Sequence, residues 1–315
     1  MKRLRIVFMG SPDFAVPSLE KLASAGNHDI IAVVSGTDKK RGRGSALSPT
    51  PVKAKALELG IRVIEADSMK DSSLHQKLAG LNPDLFVVVA FKILPAETLS
   101  IPSLGSVNLH ASLLPKYRGA APIHHAVMRG ETETGCTIFK LDAGVDTGGI
   151  ILQRSLDIGP DETTGSVYTR LMKAGSDALN EAINRIADGS ATYTQQDDSK
   201  ATPAPKLFDE HCVVDFSKPA AEVHNQIRAL SPFPAAYTLL DGKKLKLLSS
   251  SLISDDEKND HFGKVVESND GNTVMISCNP GTIALGDVRY EGKKQMPATD
   301  FFRGYQGERV LICDL

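Results

Sequence analysis

The 315-residue sequence contains no tryptophan, and aromatic residues make up only 5% of it. Stacking platforms for single-stranded nucleic acid would therefore be thin. Neither sign of charge dominates: 36 Lys and Arg stand against 38 Asp and Glu, a net charge of −2. That excludes a bulk polycation that coats nucleic acid, so any such partner must be held by a local basic patch. The four cysteines, Cys136, Cys212, Cys278 and Cys313, lie far apart with no CxxC pair. Zinc ribbons and disulfide scaffolds are disfavoured, and a reducing, cytoplasmic compartment is the default expectation. No apolar run approaches the ~20 residues needed to cross a bilayer, so no membrane partner is expected. Met1-Lys2-Arg3-Leu4-Arg5 is followed by an apolar stretch too short for a leader, which Ser11-Pro12-Asp13 ends. A first β-strand is the expected reading.

Hydrophobic residues at 41% and charged residues at 23% describe an ordinary globular chain, long enough for about two domains. In the first half, residues 4–9, 30–35, 61–64 and 85–90 are apolar on both faces, as buried parallel strands are. Residues 17–26, 51–60 and 70–80 carry Leu and Ala at helical spacing, and glycine ends each one. The alternation predicts an α/β domain with a Rossmann-like doubly wound sheet. Further strands are expected at 107–110, 137–141 and 150–156, then a long helix capped by Thr163 or Thr164 and running to about Gly189. Residues 191–206 are rich in Gln, Asp, Ser and Thr, hold two prolines, and have no apolar period, which reads as a linker. The chain then becomes β-rich, with strands expected at 244–248, 264–267, 273–277, 282–289 and 309–313. Asp241-Gly242, Asp270-Gly271 and Asn279-Pro280-Gly281 supply turns between them. That pattern suggests a small C-terminal β-barrel.

The first strand–turn–helix, Gly10-Ser11-Pro12-Asp13, sits where a dinucleotide-binding protein keeps its phosphate loop, but it lacks GxGxxG. Asp13 there would repel a pyrophosphate, so a nicotinamide cofactor is disfavoured. In the expected strand 107–110, Asn108 and His110 are two residues apart and share a face. They stand near its C-terminal end, where open α/β sheets bind ligands. An amide donor beside an imidazole suits a developing oxyanion, although on spacing alone a structural hydrogen-bonded pair is the better reading. Downstream, Asp142-Ala143-Gly144-Val145-Asp146-Thr147-Gly148 places two carboxylates in a glycine-rich loop. An aspartic protease would need a second Asp-Thr-Gly, which the chain lacks. A metal site built from His110, His124, His125 and Asp146 finds no support in HxH or HExxH spacing, and no metal is expected. Between Asp38 and Lys55, six basic residues (Lys39, Lys40, Arg41, Arg43, Lys53, Lys55) face one acid. The plain reading is a solvated loop, and the sharper one a phosphate-contacting arm.

Several stretches match a known pattern together. They are Asn108-Leu109-His110-Ala111-Ser112-Leu113-Leu114-Pro115, Arg118-Gly119-Ala120-Ala121-Pro122, the segment from Asp142 to Gly148, and Arg43-Gly44 with Ser48-Pro49-Thr50-Pro51-Val52-Lys53. To these are added Ser231-Pro232-Phe233-Pro234-Ala235-Ala236-Tyr237 and residues 296–304. The chain thereby resembles the 10-formyltetrahydrofolate-dependent formyltransferases over nearly its whole length. Gly119-Ala120-Ala121-Pro122 and the basic loop favour the branch acting on charged tRNA, since the amino-sugar-nucleotide branch is expected to carry Gly-Arg-Ala-Pro. A non-catalytic tRNA- or folate-binding module is a further alternative, against which the intact Asn108, His110 and Asp146 argue.

The resemblance implies that Asn108, His110 and Asp146 are catalytic, that Ser112, Leu113, Leu114 and Pro115 line the folate site, and that Arg41 and Arg43 contact tRNA. It implies 10-formyltetrahydrofolate as cosubstrate with no metal, and the α-amine of methionyl initiator tRNA as acceptor. It further implies a monomer with a catalytic domain at 1–190, a linker at 191–208, and a C-terminal OB-like β-barrel at 209–315 that grips the tRNA. Three features depart from the family pattern. Residues 89–95 are shorter than its usual version, and Ala235 stands where glycine is expected. From Asp209 onward, 12 Lys and Arg meet 16 Asp and Glu, so tRNA binding there must use local clusters such as Lys243, Lys244 and Lys246.

Overall fold

The computed structural model of the chain describes residues 2–40, 47–259, 261–268 and 271–311. These divide into two compact units. The first comprises Met1–Gly119, Gly135–Leu156 and Tyr168–Pro203, and the second Ala120–Thr134, Asp157–Val167 and Ala204–Leu315.

The chain enters the first unit on β1 (Arg5–Gly10), α1 (Val16–Ala25) and β2 (Asp29–Ser35). A two-residue ribbon, β3 (Lys39–Lys40) with β4 (Leu47–Ser48), flanks the basic segment. There follow α2 (Pro51–Glu58), β5 (Val63–Glu65), α3 (Ser72–Ala79), β6 (Leu85–Val89), α4 (Ala96–Leu99) and β7 (Ser106–His110). After α5 (Pro122–Met128), which belongs to the second unit, come β8 (Glu133–Lys140), β9 (Ile150–Asp157) and the 25-residue α6 (Thr164–Asp188).

The helix ends obey local chemistry. Thr50 and Asp71 accept backbone N–H groups at the starts of α2 and α3, and Gly26 ends α1 with φ +65°. Thr163 Oγ1 accepts from Ser166 N at 3.4 Å, as expected of the cap of α6.

One seven-stranded sheet runs β5-β2-β1-β6-β7-β8-β9. The pairs from β5 through β7 are parallel, and β8 joins β7 antiparallel. Every residue of β6, and all of β1 beyond Arg5, is buried because both faces are covered. On one face, Val7, Met9, Phe86 and Val88 pack with Leu74 and Leu78 of α3. On the other, Leu109 meets α6 so closely that a Cβ on Gly175 would lie 2.8 Å from it. Leu109 therefore turns away from the face that carries Asn108 and His110. This is a Rossmann-like parallel sheet.

The expected linker is tied down for much of its length. Ile150 and Thr194 exchange two backbone hydrogen bonds of 2.8 Å, and Arg118 N donates to Thr202 O at 2.8 Å. Side chains that gave the stretch a linker's composition make further bonds, Gln196 to Asp146 O, Thr202 Oγ1 from Tyr117 N and Asp198 from Arg118, and residues through Pro203 fold with the first unit.

The second unit is built from α5, α7 (Ala220–Leu230) and antiparallel strands. These are β10 (Ala236–Leu240), β11 (Lys243–Leu247), β12 (Ser250–Ser254), β13 (Val265–Glu267), β14 (Val274–Ser277), β15 (Thr282–Leu285), β16 (Asp287–Tyr290) and β17 (Met296–Pro297), followed by α8 (Ala298–Arg303). They form two four-stranded sheets, β10-β11-β16-β17 and β12-β15-β14-β13. Phe216, Ile227, Leu245, Ile276, Val288 and Phe302 are among the side chains of their common core. The single strand expected over 282–289 is broken at Gly286, whose N–H donates to Ser249 O at 2.9 Å. A Cβ there would fall 2.3 Å from Ser249 Oγ, and at this crossing the chain leaves one sheet for the other. Of the strand expected at 309–313, a bridge between Lys264 and Val310 is described, and residues beyond 311 lie outside the described range.

Candidate active site

Strand β7 delivers Asn108 and His110 to the C-terminal edge of the sheet, and the loop after β8 brings Asp146 to them. His110 is buried, with its Nδ1 3.6 Å from Asp146 Oδ2. Its Nε2 lies 2.8 Å from the carbonyl of Tyr117. A carbonyl only accepts, so Nε2 carries the proton and Nδ1 presents a lone pair on the Asp146 side. Burial lowers the imidazole's pKa, and the charge of Asp146 and the Tyr117 bond oppose that shift without reversing it. The neutral ring is thus a base whose conjugate acid already has a counter-ion in place. Among the described residues, the Asn108 amide makes no side-chain hydrogen bond and is left available as a donor.

The Asp146 loop is pinned from several sides. Asp142 Oδ1 accepts from Gly144 N at 2.9 Å and from Thr147 Oγ1 at 2.6 Å. Asp146 Oδ2 accepts from Gly119 N at 2.9 Å. Gln196 Nε2 donates to both Asp146 O and Gly148 O, each at 2.8 Å. A Cβ on Gly148 would lie 1.7 Å from Lys140 O, so this position admits glycine alone. Asp146 itself sits at φ +56°, a conformation that L residues other than Asn and Asp seldom adopt. Ala90 and Tyr117, at φ +47° and +62°, place two more such residues at the sheet's C-terminal edge.

Ser112–Pro115 divide in two. Ser112 and Leu114 face inward: the Ser112 hydroxyl donates to Lys116 O at 2.6 Å, and Leu114 is held through Thr137 and Gln153. Leu113 and Pro115 are half-buried and keep part of their surface exposed. In the neighbouring 89–95 segment, Lys92 Nζ donates to the carbonyls of Ala66 and Asp67, while Ile93 is 81% exposed. Asp13 accepts from Tyr168 Oη at 2.7 Å and from Phe14 N, filling the phosphate-loop position with a paired carboxylate.

Two of the six basic residues, Lys53 and Lys55, stand on α2 and are paired with acids. Lys53 bonds to Asp38 at 2.7 Å and Glu65 at 2.6 Å, and Lys55 to Glu20 at 2.9 Å and Glu58 at 2.6 Å. Arg41 and Arg43 lie outside the described residues. In the second unit, Lys244 pairs with Asp209 and stands 3.9 Å from the Tyr237 ring centroid, and Lys246 donates to Pro234 O. His124 and His125 belong to that unit, where each donates to a backbone carbonyl. Among the described residues, no group of three or more His, Cys, Asp or Glu could hold a metal ion. Sequence reasoning missed the Tyr117 carbonyl, the Gly119 N–H and Gln196. The first two are backbone groups, and the third sits where no periodicity points.

The formyl transferase family pattern matches residues 4–183, and that of the formyl transferase C-terminal domain matches residues 206–306. The chain belongs to the formyl transferase family, enzymes that move a formyl group between acceptors. Within that family its similarity is to methionyl-tRNA formyltransferase. It is 46% identical to that enzyme of Moorella thermoacetica over 304 residues, covering 96% of each chain. It is 42% identical to that of Geobacter metallireducens, again over 96% of each. In fold it resembles an N-formyltransferase from Helicobacter canadensis solved with folinic acid and dTDP-3-aminofucose. There the TM-score is 0.68 at 23% identity, with 90% of this chain and 98% of that one covered.

Proposed function

We propose that the enzyme transfers the formyl group of 10-formyltetrahydrofolate to the α-amine of methionyl initiator tRNA, as a cytoplasmic monomer. The observation that carries the site assignment is the neutral, buried His110 with its free nitrogen aimed at Asp146, beside the available Asn108 amide. The methionyl amine attacks the formyl carbon, and its proton passes to His110 Nδ1. Asp146 stabilises the imidazolium so formed. Asn108 donates to the oxygen as it becomes an oxyanion, and the positive charge of the protonated His110 ring stabilises it through space. Collapse of the tetrahedral intermediate breaks the bond to N10 of the folate, which leaves with the proton. No metal enters these steps.

Leu113 and Pro115 would offer apolar surface to the folate, while Ser112 and Leu114 hold the loop's shape. Arg41 and Arg43 would contact the acceptor end. Residues beyond 209 would form an OB-like barrel that grips the tRNA, a reading supported by strands passing from one antiparallel sheet to the other at Gly286. The test offers purified enzyme 10-formyltetrahydrofolate together with charged initiator tRNA and, in parallel, an amino sugar nucleotide. Formylation of the sugar and not of the tRNA would overturn the proposal.

A further inference from the structure

Gln196 lies in a stretch with a linker's composition, yet it is only 7% exposed and all its hydrogen-bonding groups are used. Its two N–H groups go to Asp146 O and Gly148 O. Its Oε1 accepts from Arg118 Nε at 3.2 Å and Nη2 at 2.7 Å, and Arg118 Nη2 reaches on to Asp198 at 2.7 Å. The segment that carries it is fastened on both sides. Thr194 is paired with Ile150, and Thr202 accepts from Arg118 N through its carbonyl and from Tyr117 N through its hydroxyl. One end of this network therefore fixes the loop that holds Asp146, and the other fixes the loop whose Tyr117 carbonyl orients His110.

We infer that Gln196 is a positioning residue for formyl transfer: its amide clamps the carbonyls of Asp146 and Gly148 and so holds the Asp146 carboxylate against His110. The inference rests on the catalytic reading of Asp146. A left-handed residue between mobile neighbours would relax toward commoner backbone angles and swing its carboxylate away. Only a neutral group with two donors on one nitrogen serves both carbonyls and still offers Arg118 an acceptor. A glutamate keeps the length and the acceptor but sets a carboxylate oxygen against two carbonyl oxygens. Among the described residues, Asp146 is the charged group bearing on His110, whose ring also meets the Tyr117 carbonyl and, edge-on, the Phe139 ring.

The experiment compares full-length wild type with Q196E, Q196L and D146N. It measures kcat, both KM values and thermal midpoint across about pH 5 to 8, the range in which histidine titrates. Q196E and Q196L should lose ~10–10² in kcat, the scale of a misplaced catalytic group, with both KM values little changed. The acid limb of the kcat profile should move to lower pH, because Asp146 no longer supports the imidazolium. A purely structural role would lower the thermal midpoint without moving that limb. Q196E is the variant read if Q196L fails to fold. Wild-type kcat and acid limb in Q196E overturn the clamp, as does a KM rise at unchanged kcat. Full activity in D146N would instead refute the catalytic reading, so the two failures are told apart.

Discussion

Replacing Asp146 by Asn changes charge and almost nothing else. The amide oxygen can still accept from Gly119 N, and asparagine tolerates φ +56° as well as aspartate does. What disappears is a full charge 3.6 Å from His110 Nδ1, between side chains only 6% and 14% exposed. Coulomb's law at an effective dielectric of ~20 gives about 4–5 kcal/mol for a charged pair at that distance. The partial exposure of Asp146 screens the pair and the amide dipole recovers part of the loss, so about 3–4 kcal/mol should remain. At ~1.4 kcal/mol per factor of ten, that predicts a fall in kcat of about 10²–10³. The Asn NH₂ could also donate to Nδ1, blocking the lone pair that takes the amine proton. Single-turnover formyl transfer to charged tRNA, with folate and tRNA saturating, measures the effect. A loss below about fivefold in a folded variant would refute both the proton's route and the stabilisation assigned to the Asp146 charge.

Asn108→Ala and His110→Ala should each lower kcat by ~10²–10³, and the double variant by far less than the product, since the pair acts on one intermediate. Additive losses would mean that they serve separate steps. Stability should fall with acid: His110, His28 and His124 are all held below the ordinary histidine value, chiefly by burial. The folded state then binds fewer protons than the unfolded one below about pH 6.5, so stability present above that value is lost as pH drops toward the lowered ones. Urea midpoints at about pH 7.5 and 5.5 should differ less in His110→Gln than in wild type, and an equal difference would show that the ring is not buried neutral. Arg43→Ala should raise the KM for charged tRNA and flatten its salt dependence, leaving the folate KM nearly unchanged. A shift in the folate KM alone would move the basic loop to the cofactor site.

The strands β1, β2 and β6 were legible because burial on both faces writes a continuous apolar run, and Asn108 and His110 because a two-residue spacing puts them on one face. Asp146 was legible only through its glycine-rich context and a family resemblance. β10 was missed because Ala-Tyr-Thr-Leu-Leu follows prolines without clean alternation, and all but one of its residues are buried. The break at Gly286 was missed because one glycine within an apolar run does not reveal that two sheets cross there. Ala235 shows the reverse: a glycine was expected, and the structure gives this buried alanine φ +76°, the conformation glycine would take freely. Gln196 left no trace, since a hydrogen bond between residues fifty apart has no period.

The anchoring of residues 191–203 also bears on how this sequence can change over time. Extra residues in a true tether cost only loop entropy and are usually accepted. Here the stretch between Thr194 and Thr202 spans two loops that meet in one active site, and its register is set at both ends by hydrogen bonds. A single inserted residue would leave the composition as linker-like as before. It would also carry Gln196 out of reach of both carbonyls. Length drift should therefore be tolerated in exposed turns such as Asp241-Gly242 and eliminated in this polar, unassuming stretch.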